Sequence, residues 1–322
     1  MKSKAHGYLF ALAATTIFSF QDAVSKHLGD HYSPIFITMI RYWAFGAFCI
    51  LLASRKPGGL RAAASTKRPV LQILRGVLLA TEIMFVITAF AHAGLVHSTA
   101  VLSATPIVVT LLSIPLLGEH VGWRRWSAII AGLVGVILIL KPDAGGFLDP
   151  WLLMPVLCCF MYAAYLIATR LVSRTDSPAT SFFYIGVAGA VTASLVGPFF
   201  WTNLEGWDKA WMGVLCITGM TGHYLVIRAY ELLDASAAQP ITYLGLVYAS
   251  FFGVLIYGET LTWNIVAGSV IVVGAGLFTV WREYVLRHQI PVQAPGQAGV
   301  QNPVSDTAPD HAEARSVAPR NL

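Results

Sequence analysis

The sequence predicts an all-α polytopic membrane protein, with ten transmembrane helices arranged as two inverted five-helix repeats. Three observations predict it. Of 322 residues, 56% are hydrophobic and only 11% are charged, against about a quarter charged in an ordinary soluble domain. The apolar residues fall in about ten runs of roughly 20 residues, enough at about 1.5 Å per residue to cross a hydrocarbon core of about 30 Å. The third observation is duplication. Arg75–Trp123 and Met212–Trp263 each open with Gly-Val-Leu (Gly76–Leu78 and Gly213–Leu215), pass a short polar break and resume an apolar run. Each ends on Gly-Glu with a Trp four residues after the Glu: Gly118–Glu119 with Trp123, and Gly258–Glu259 with Trp263. The runs are too long, and too lacking in alternation, for the strands of an outer-membrane barrel.

In chain order, the runs predict helices at 8–28, 34–53, 71–91, 96–117 and 124–140, then 149–169, 179–200, 209–229, 236–257 and 262–282. The repeats are therefore 7–141 and 149–282. Internal Gly and Pro do not argue against helix, because membrane spans tolerate both. The first helices of each half also correspond. Lys26 and Pro34 close helix 1 and open helix 2, and Arg170 and Pro178 hold those places in helices 6 and 7, each pair 144 residues apart. Five crossings per half is an odd number, so the halves enter the bilayer in opposite directions. The first run lacks a small-residue cleavage signal and reads as a retained span. Residues 289–322 are Pro-, Gly- and Ala-rich without an apolar period, the composition of a disordered cytoplasmic tail.

Charge fixes the expected orientation. With both termini cytoplasmic, that side holds Lys2, Lys4, Arg55, Lys56, Arg61, Lys67, Arg68, Arg75, Arg124, Arg125, Arg170, Arg174, Arg228, Arg282 and Arg287. The other side holds Lys26, Lys141 and Lys209, an asymmetry of fifteen to three that follows the positive-inside rule. Basic residues distributed in this way mark topology and give no continuous patch for nucleic acid. Cys158 and Cys159 are adjacent in one helix, and Cys49 and Cys216 lie in other apolar runs, so no disulfide framework is expected. No histidine spacing suggests a metal, and no cofactor is expected.

The informative residues are polar groups at membrane depth. Asp22 in helix 1, Arg41 in helix 2 and Glu82 in helix 3 fall in one layer about 9–14 Å below the outer boundary. An unpaired charge there costs several kcal/mol, so these three should face a ligand, water or one another. Arg41 has two readings: a fork for a substrate carboxylate, phosphate or ring, or a structural partner of Asp22 or Glu82. Glu82 is a candidate proton carrier, substrate contact or structural partner. Asp22 and Lys26 stand four apart on one helix face, the spacing of a local ion pair. In the second half, His223 is a candidate cavity residue or interhelical bond. Gln21 and Gln239 offer uncharged hydrogen bonds. Trp43, Tyr162, Tyr165, Tyr243 and Tyr248 offer stacking, although aromatic residues in spans more often pack or anchor.

Pro106 in helix 4 and Pro240 near the start of helix 9 each remove a helical hydrogen bond and permit bending. Glu119 and Glu259 sit at helix ends, where capping or pairing at a neighbouring helix is expected more than substrate contact. Gly132 and Gly135 in helix 5, and Gly268, Gly274 and Gly276 in helix 10, permit close helix approach between the halves or between two protomers of a homodimer.

These residues resemble the drug/metabolite transporter superfamily, specifically its ten-helix members with two EamA domains, over residues 7–282. The resemblance rests on the helix pattern, Asp22-x-x-x-Lys26, Arg41, Pro106 followed by Leu-Leu-Gly-Glu at Leu116–Glu119, and Tyr-Gly-Glu at Tyr257–Glu259. It implies a bacterial inner-membrane carrier with a central cavity, alternating access and a small organic solute as cargo. The Asp22-to-Arg41 region also looks like the branch containing S-adenosylmethionine and riboflavin importers; an amino-acid derivative is a further cargo the superfamily implies. One departure stands out: Leu246 occupies a place where family members often carry proline, thirteen residues before Glu259. A carrier driven by protons or by exchange is thus expected. A membrane enzyme would need a convergent nucleophile, metal or phosphate cluster, and a channel would need a continuous polar pore.

Overall fold

The structure is a computed structural model that describes residues 2–55, 57–117, 122–141, 150–233 and 240–289. It has helices α1 (Lys2–His31), α2 (Pro34–Ser54), α3 (Gly59–Ala63), α4 (Pro69–Ala93), α5 (Leu95–Leu102), α6 (Thr105–Leu117) and α7 (Trp123–Leu140). There follow α8 (Pro150–Val172), α9 (Pro178–Val196), a 3-10 turn (Gly197–Phe200), α10 (Asp208–Leu232), α11 (Leu244–Tyr257) and α12 (Trp263–Gln289). Among the described residues, seven helical stretches are long and apolar enough to cross a membrane, and 126–140 is a shorter apolar helix. Helices α1 and α10, at 30 and 25 residues, have the length but are less apolar. Leu195, Val247, Leu255 and Val270 are each exposed over more than 60% of their surface. That is a ruinous outer face in water and an ordinary one against lipid.

Prolines punctuate the starts. Pro34, Pro69, Pro150 and Pro178 open α2, α4, α8 and α9, where the missing N–H would be unpaired anyway. Ser177 adds a side-chain cap, accepting from the Thr180 N–H at 3.1 Å. Two boundaries differ from the sequence expectation. Helix α12 runs through Gln289, past the expected 282, so the tail boundary at 289 falls inside helix; residues 290–322 lie outside the described residues. The short α3 occupies a connection for which no helix was expected.

The fourth expected span is two helices. The backbone turns at Ser103–Ala104, with the Thr105 hydroxyl donating to Leu102 O at 2.6 Å, and Pro106 stands in the first turn of α6 rather than mid-helix. The ninth expected span breaks too, at Tyr243, between a helical turn at 240–242 and α11. Ser103 and Tyr243 are separated by the same 140 residues as Glu119 and Glu259. The second break occurs with Leu246 where proline was missed, so proline is not what makes it.

The most extensive helix pairings all join a helix from residues 2–140 to one from residues 150–289: α1 with α10, α7 with α12, α2 with α9, and α4 with both α8 and α9. The two segments are interleaved, not side by side. Between α7 and α12 the close approach is made by Gly135 and Gly268. A Cβ on Gly268 would lie 2.6 Å from Gly135 O, and one on Gly135 would lie 2.9 Å from Gly268 O. Lipid supplies no hydrophobic drive between spans, so such backbone contact is how they gain dispersion energy. Two larger cores result. One gathers Phe36, Met39, Tyr42, Phe45 and Ile83 around α2, α4 and α9. The other gathers Ile107, Ile129, Ile139 and Val272 around α6, α7 and α12.

Candidate functional site

Helices α2 and α10 form a cleft lined by Arg41, Tyr42, Phe45, Cys216, Gly219, Met220 and His223. Arg41 is only 9% exposed and Glu82, on α4, only 6%. Asp22, Glu82 and His223 all lie within electrostatic range of Arg41. Among the described residues, however, Asp22, Arg41 and Glu82 make no hydrogen bond or ion pair with one another. Ionisable groups at this depth are costly, which makes these three candidates for contact with a ligand or an ion. His223 stacks on Phe45 with ring centroids 5.4 Å apart and meets the edge of Phe18 at 5.3 Å. The cleft holds about 10 Å³ of water-sized space, room for roughly one water molecule. It is a narrow slot where a chamber was expected.

Lys26 corrects one expectation. Its ammonium turns away from Asp22 to donate to Asp30 (3.3 Å) and to Phe90 O (3.2 Å), with Glu259 at 3.8 Å and the Tyr257 ring centroid at 5.0 Å. Glu259 caps a helix, as expected, but a distant one. Its two oxygens accept from the N–H groups of Leu95 and Val96 at 2.7 and 2.8 Å, the first turn of α5. Gly94 permits this. Its φ of +89° suits glycine, and a Cβ there would lie 3.1 Å from the Glu259 carboxylate. The Tyr257 hydroxyl donates to Ala23 O at 2.6 Å, so α1, α5 and α11 are knotted together at one end.

Two smaller staples lie at the helix ends. Tyr32 donates to Asp208 at 2.9 Å and accepts from the Glu205 N–H at 3.0 Å, while the His27 ring meets Asp208 at 2.8 Å. Asp176, in the α8–α9 connection, accepts from the Thr66 hydroxyl, from the Gln72 amide at 2.8 Å and from the Lys67 N–H at 3.1 Å. Tyr32 and Asp176 are 144 residues apart, the offset that relates Lys26 to Arg170. Partial burial alone would raise the Asp176 carboxyl; the hydrogen bonds from Thr66, Gln72 and Lys67 outweigh it and hold it at about 2. Because the folded value is depressed, Asp176 stabilises the fold above its ordinary value of 3.8, and this is lost as pH falls toward 2. We expect Asp176→Ala to lower the melting temperature in detergent by a constant amount from pH 8 to 5, the gap closing below pH 4. A gap unchanged at pH 3 would contradict the assignment.

Other sequence candidates lie elsewhere. Tyr243 packs against α12, where a Cβ on Gly276 would overlap its hydroxyl, and does not line the cleft. Trp43 donates to Ser194 at 2.8 Å and is 43% exposed, an anchor rather than a stacking wall. Tyr248 accepts from Thr16 at 3.2 Å, and Tyr162 stacks on Tyr165 at 5.7 Å. Pro240 starts the turn before α11 and is exposed. Gln239 and Glu119 lie outside the described residues. Arg75, counted above as a topology charge, is fully buried, donating to Ser181 O (2.6 Å) and Thr169 (3.3 Å) beside the Tyr165 ring. The aromatic and sulfur residues of the cleft wall (Phe45, Cys216 and Met220) were not singled out, because apolar residues in spans carry no individual signal.

The model of the EamA-like transporter family matches residues 5–141 and 149–281. The chain belongs to this family. Its two matched segments are the interleaved ones, separated by the connection before α8. This EamA-like transporter is 26% identical over 287 residues to an S-adenosylmethionine uptake transporter of Rickettsia prowazekii, covering 88% of this chain and 95% of the relative. It is 26% identical over 279 residues to a riboflavin transporter of Vibrio cholerae (85% and 93% covered). It is 24% identical over 274 residues to a pseudopaline exporter of Pseudomonas aeruginosa (84% and 94%). A solved crystal structure shares the fold with a TM-score of 0.60 and 18% identity, covering 86% of this chain and 98% of that one. The EamA-like transporter is thus a multi-pass membrane carrier of a small metabolite and not an enzyme.

Proposed function

We propose that the chain takes up a cationic, amino-acid-bearing nucleoside of the S-adenosylmethionine kind across a bacterial inner membrane, by alternating access, with both termini cytoplasmic. The observation that carries this reading is Arg41, buried beside an aromatic and sulfur-lined slot without a carboxylate in contact. In a widened slot a purine would stack on Phe45 and His223, the rings that line it. A sulfonium cation is complemented by Asp22 and Glu82, and a carboxylate by Arg41. The names of the similar S-adenosylmethionine uptake transporters agree with that chemistry. Riboflavin is the second reading, favoured by the aromatic wall and by a relative of that name, but it leaves both acids without a complement.

The helix pairings support ten crossings in two inverted repeats. Number the crossings one to ten, with α5 and α6 together as the fourth, and exchange each helix for the one five places on. The pairing of α1 with α10 then maps onto α8 with α4, α6 with α8 onto α11 with α1, and α4 with α9 onto α10 with α2. The pairings α2 with α9 and α7 with α12 map onto themselves. A slot sized for one water must open for any metabolite, and a twofold of this kind supplies a second, exchanged conformation at little cost. Glu82 is the proposed proton carrier.

Purified protein in liposomes tests the reading. Labelled S-adenosylmethionine should enter saturably, faster with an inward proton gradient, and Glu82→Gln should abolish the gradient dependence. Uptake of riboflavin alone, or leakage proportional to concentration, would sink it. In the same vesicles, proteolysis should find the C-terminal tail on the face opposite Lys141.

A further inference from the structure

Gln21 is a buried polar group that the fold leaves unsatisfied. It is 97% buried (3% exposed), and its Oε1 has no hydrogen-bond partner. An acceptor left bare at this depth is costly, typically about 1–3 kcal/mol, and is kept where something fills it. What it faces is specific. At Gly219, on the α10 wall of the slot, a Cβ would stand 3.3 Å from Gln21 Oε1, 3.4 Å from Arg41 Nε and 3.8 Å from an Arg41 terminal nitrogen. One point on α10 is therefore bordered by a bare acceptor from α1 and a donor fork from α2. Only the absence of a side chain at position 219 leaves both uncovered.

An acceptor beside a cationic fork complements a ligand that carries N–H donors next to an anion. A neutral donor–acceptor edge, such as a cyclic imide, would satisfy Gln21 but leave the guanidinium without a counter-charge in a low-dielectric setting, which is the costlier outcome. We propose that Gln21, Arg41 and Gly219 form a subsite for an α-amino carboxylate, Arg41 holding the carboxylate and Gln21 Oε1 accepting from the ammonium. Gly219 sets the specificity by admitting that end of the ligand against the α10 backbone. This rests on the uptake reading above and adds which end of the metabolite is held where. The ring end then lies toward Phe45 and His223, about one turn along α10 from Gly219.

The test measures binding of three probes to the full-length protein by thermal stabilisation: S-adenosylmethionine, its decarboxylated form, and 5′-methylthioadenosine, which lacks the amino-acid end altogether. Wild type should prefer them in that order. Gln21→Leu, which keeps the shape and removes the acceptor, should weaken S-adenosylmethionine by about tenfold, the worth of a hydrogen bond to a charged group, and leave 5′-methylthioadenosine unchanged. Gly219→Ala should give the same pattern with a smaller loss and decides the matter if Gln21→Leu does not fold. The subsite is refuted if these variants keep the full preference for S-adenosylmethionine, or if they weaken 5′-methylthioadenosine equally. Wild type that binds none of the three while transporting riboflavin overturns the substrate reading itself, and the subsite with it; that outcome shows before any variant is made.

Discussion

Arg41→Ala is expected to reduce S-adenosylmethionine uptake by about thirtyfold or more, with Arg41→Lys recovering only part of it. Among the described residues, the guanidinium is buried, touches no carboxylate, and is the one fixed positive charge lining the slot. A buried charge-assisted contact is worth about 2–5 kcal/mol when one partner is cut away, which is a factor of roughly 30 to several thousand. Lysine keeps the charge and loses the planar fork. The variant should remain folded, because no intramolecular hydrogen bond or ion pair is lost; removing an unmatched charge from a membrane interior can even raise the melting temperature. Loss of uptake with equal or higher thermal stability is the combined signature. If stability and transport fall together, Arg41 is structural.

Glu259→Ala is expected to act in the opposite way, on the fold first. It strips the acceptors from two N–H groups of α5 and leaves Lys26 with Asp30 as its one carboxylate partner, beside Phe90 O. Two charge-assisted hydrogen bonds at a helix N-terminus amount to about 2–4 kcal/mol, a large share of the roughly 5–15 kcal/mol that holds a protein folded. The melting temperature should drop markedly, and Glu259→Gln, which keeps one good acceptor, should fall between. Hydrogen exchange at Leu95 and Val96 provides the local check: their amides should lose protection in Glu259→Ala before those of α4. Unchanged protection would mean that the carboxylate is not their principal partner.

The spans were legible because bilayer thickness imposes a length, and the duplication that the two family matches reproduce was legible because Gly-Glu recurs at 118–119 and 258–259 with a Trp four residues on. Depth counting drew attention to Asp22, Arg41 and Glu82 because rise per residue is nearly constant, and Arg41 and Glu82 are buried. Partner choice was not legible. Lys26 had Asp22 and Asp30 at equal spacing on either side along α1, and only packing against α4 and α11 put Phe90 O and Glu259 within reach of its ammonium. Arg75 looked like a cytoplasmic end charge because burial between α4, α8 and α9 depends on how the two segments interleave. The break at Tyr243 was hidden for a different reason, since no proline announces it.

The narrowness of the slot between α2 and α10 has a thermodynamic consequence. With space for about one water, this conformer cannot be the one that captures a nucleoside, so capture draws on a widened minor form. The measured affinity is then the intrinsic one multiplied by the fraction of molecules already widened. A substitution far from any ligand contact, if it loosens the seam of α2 against α10, would make the carrier bind more tightly while melting sooner.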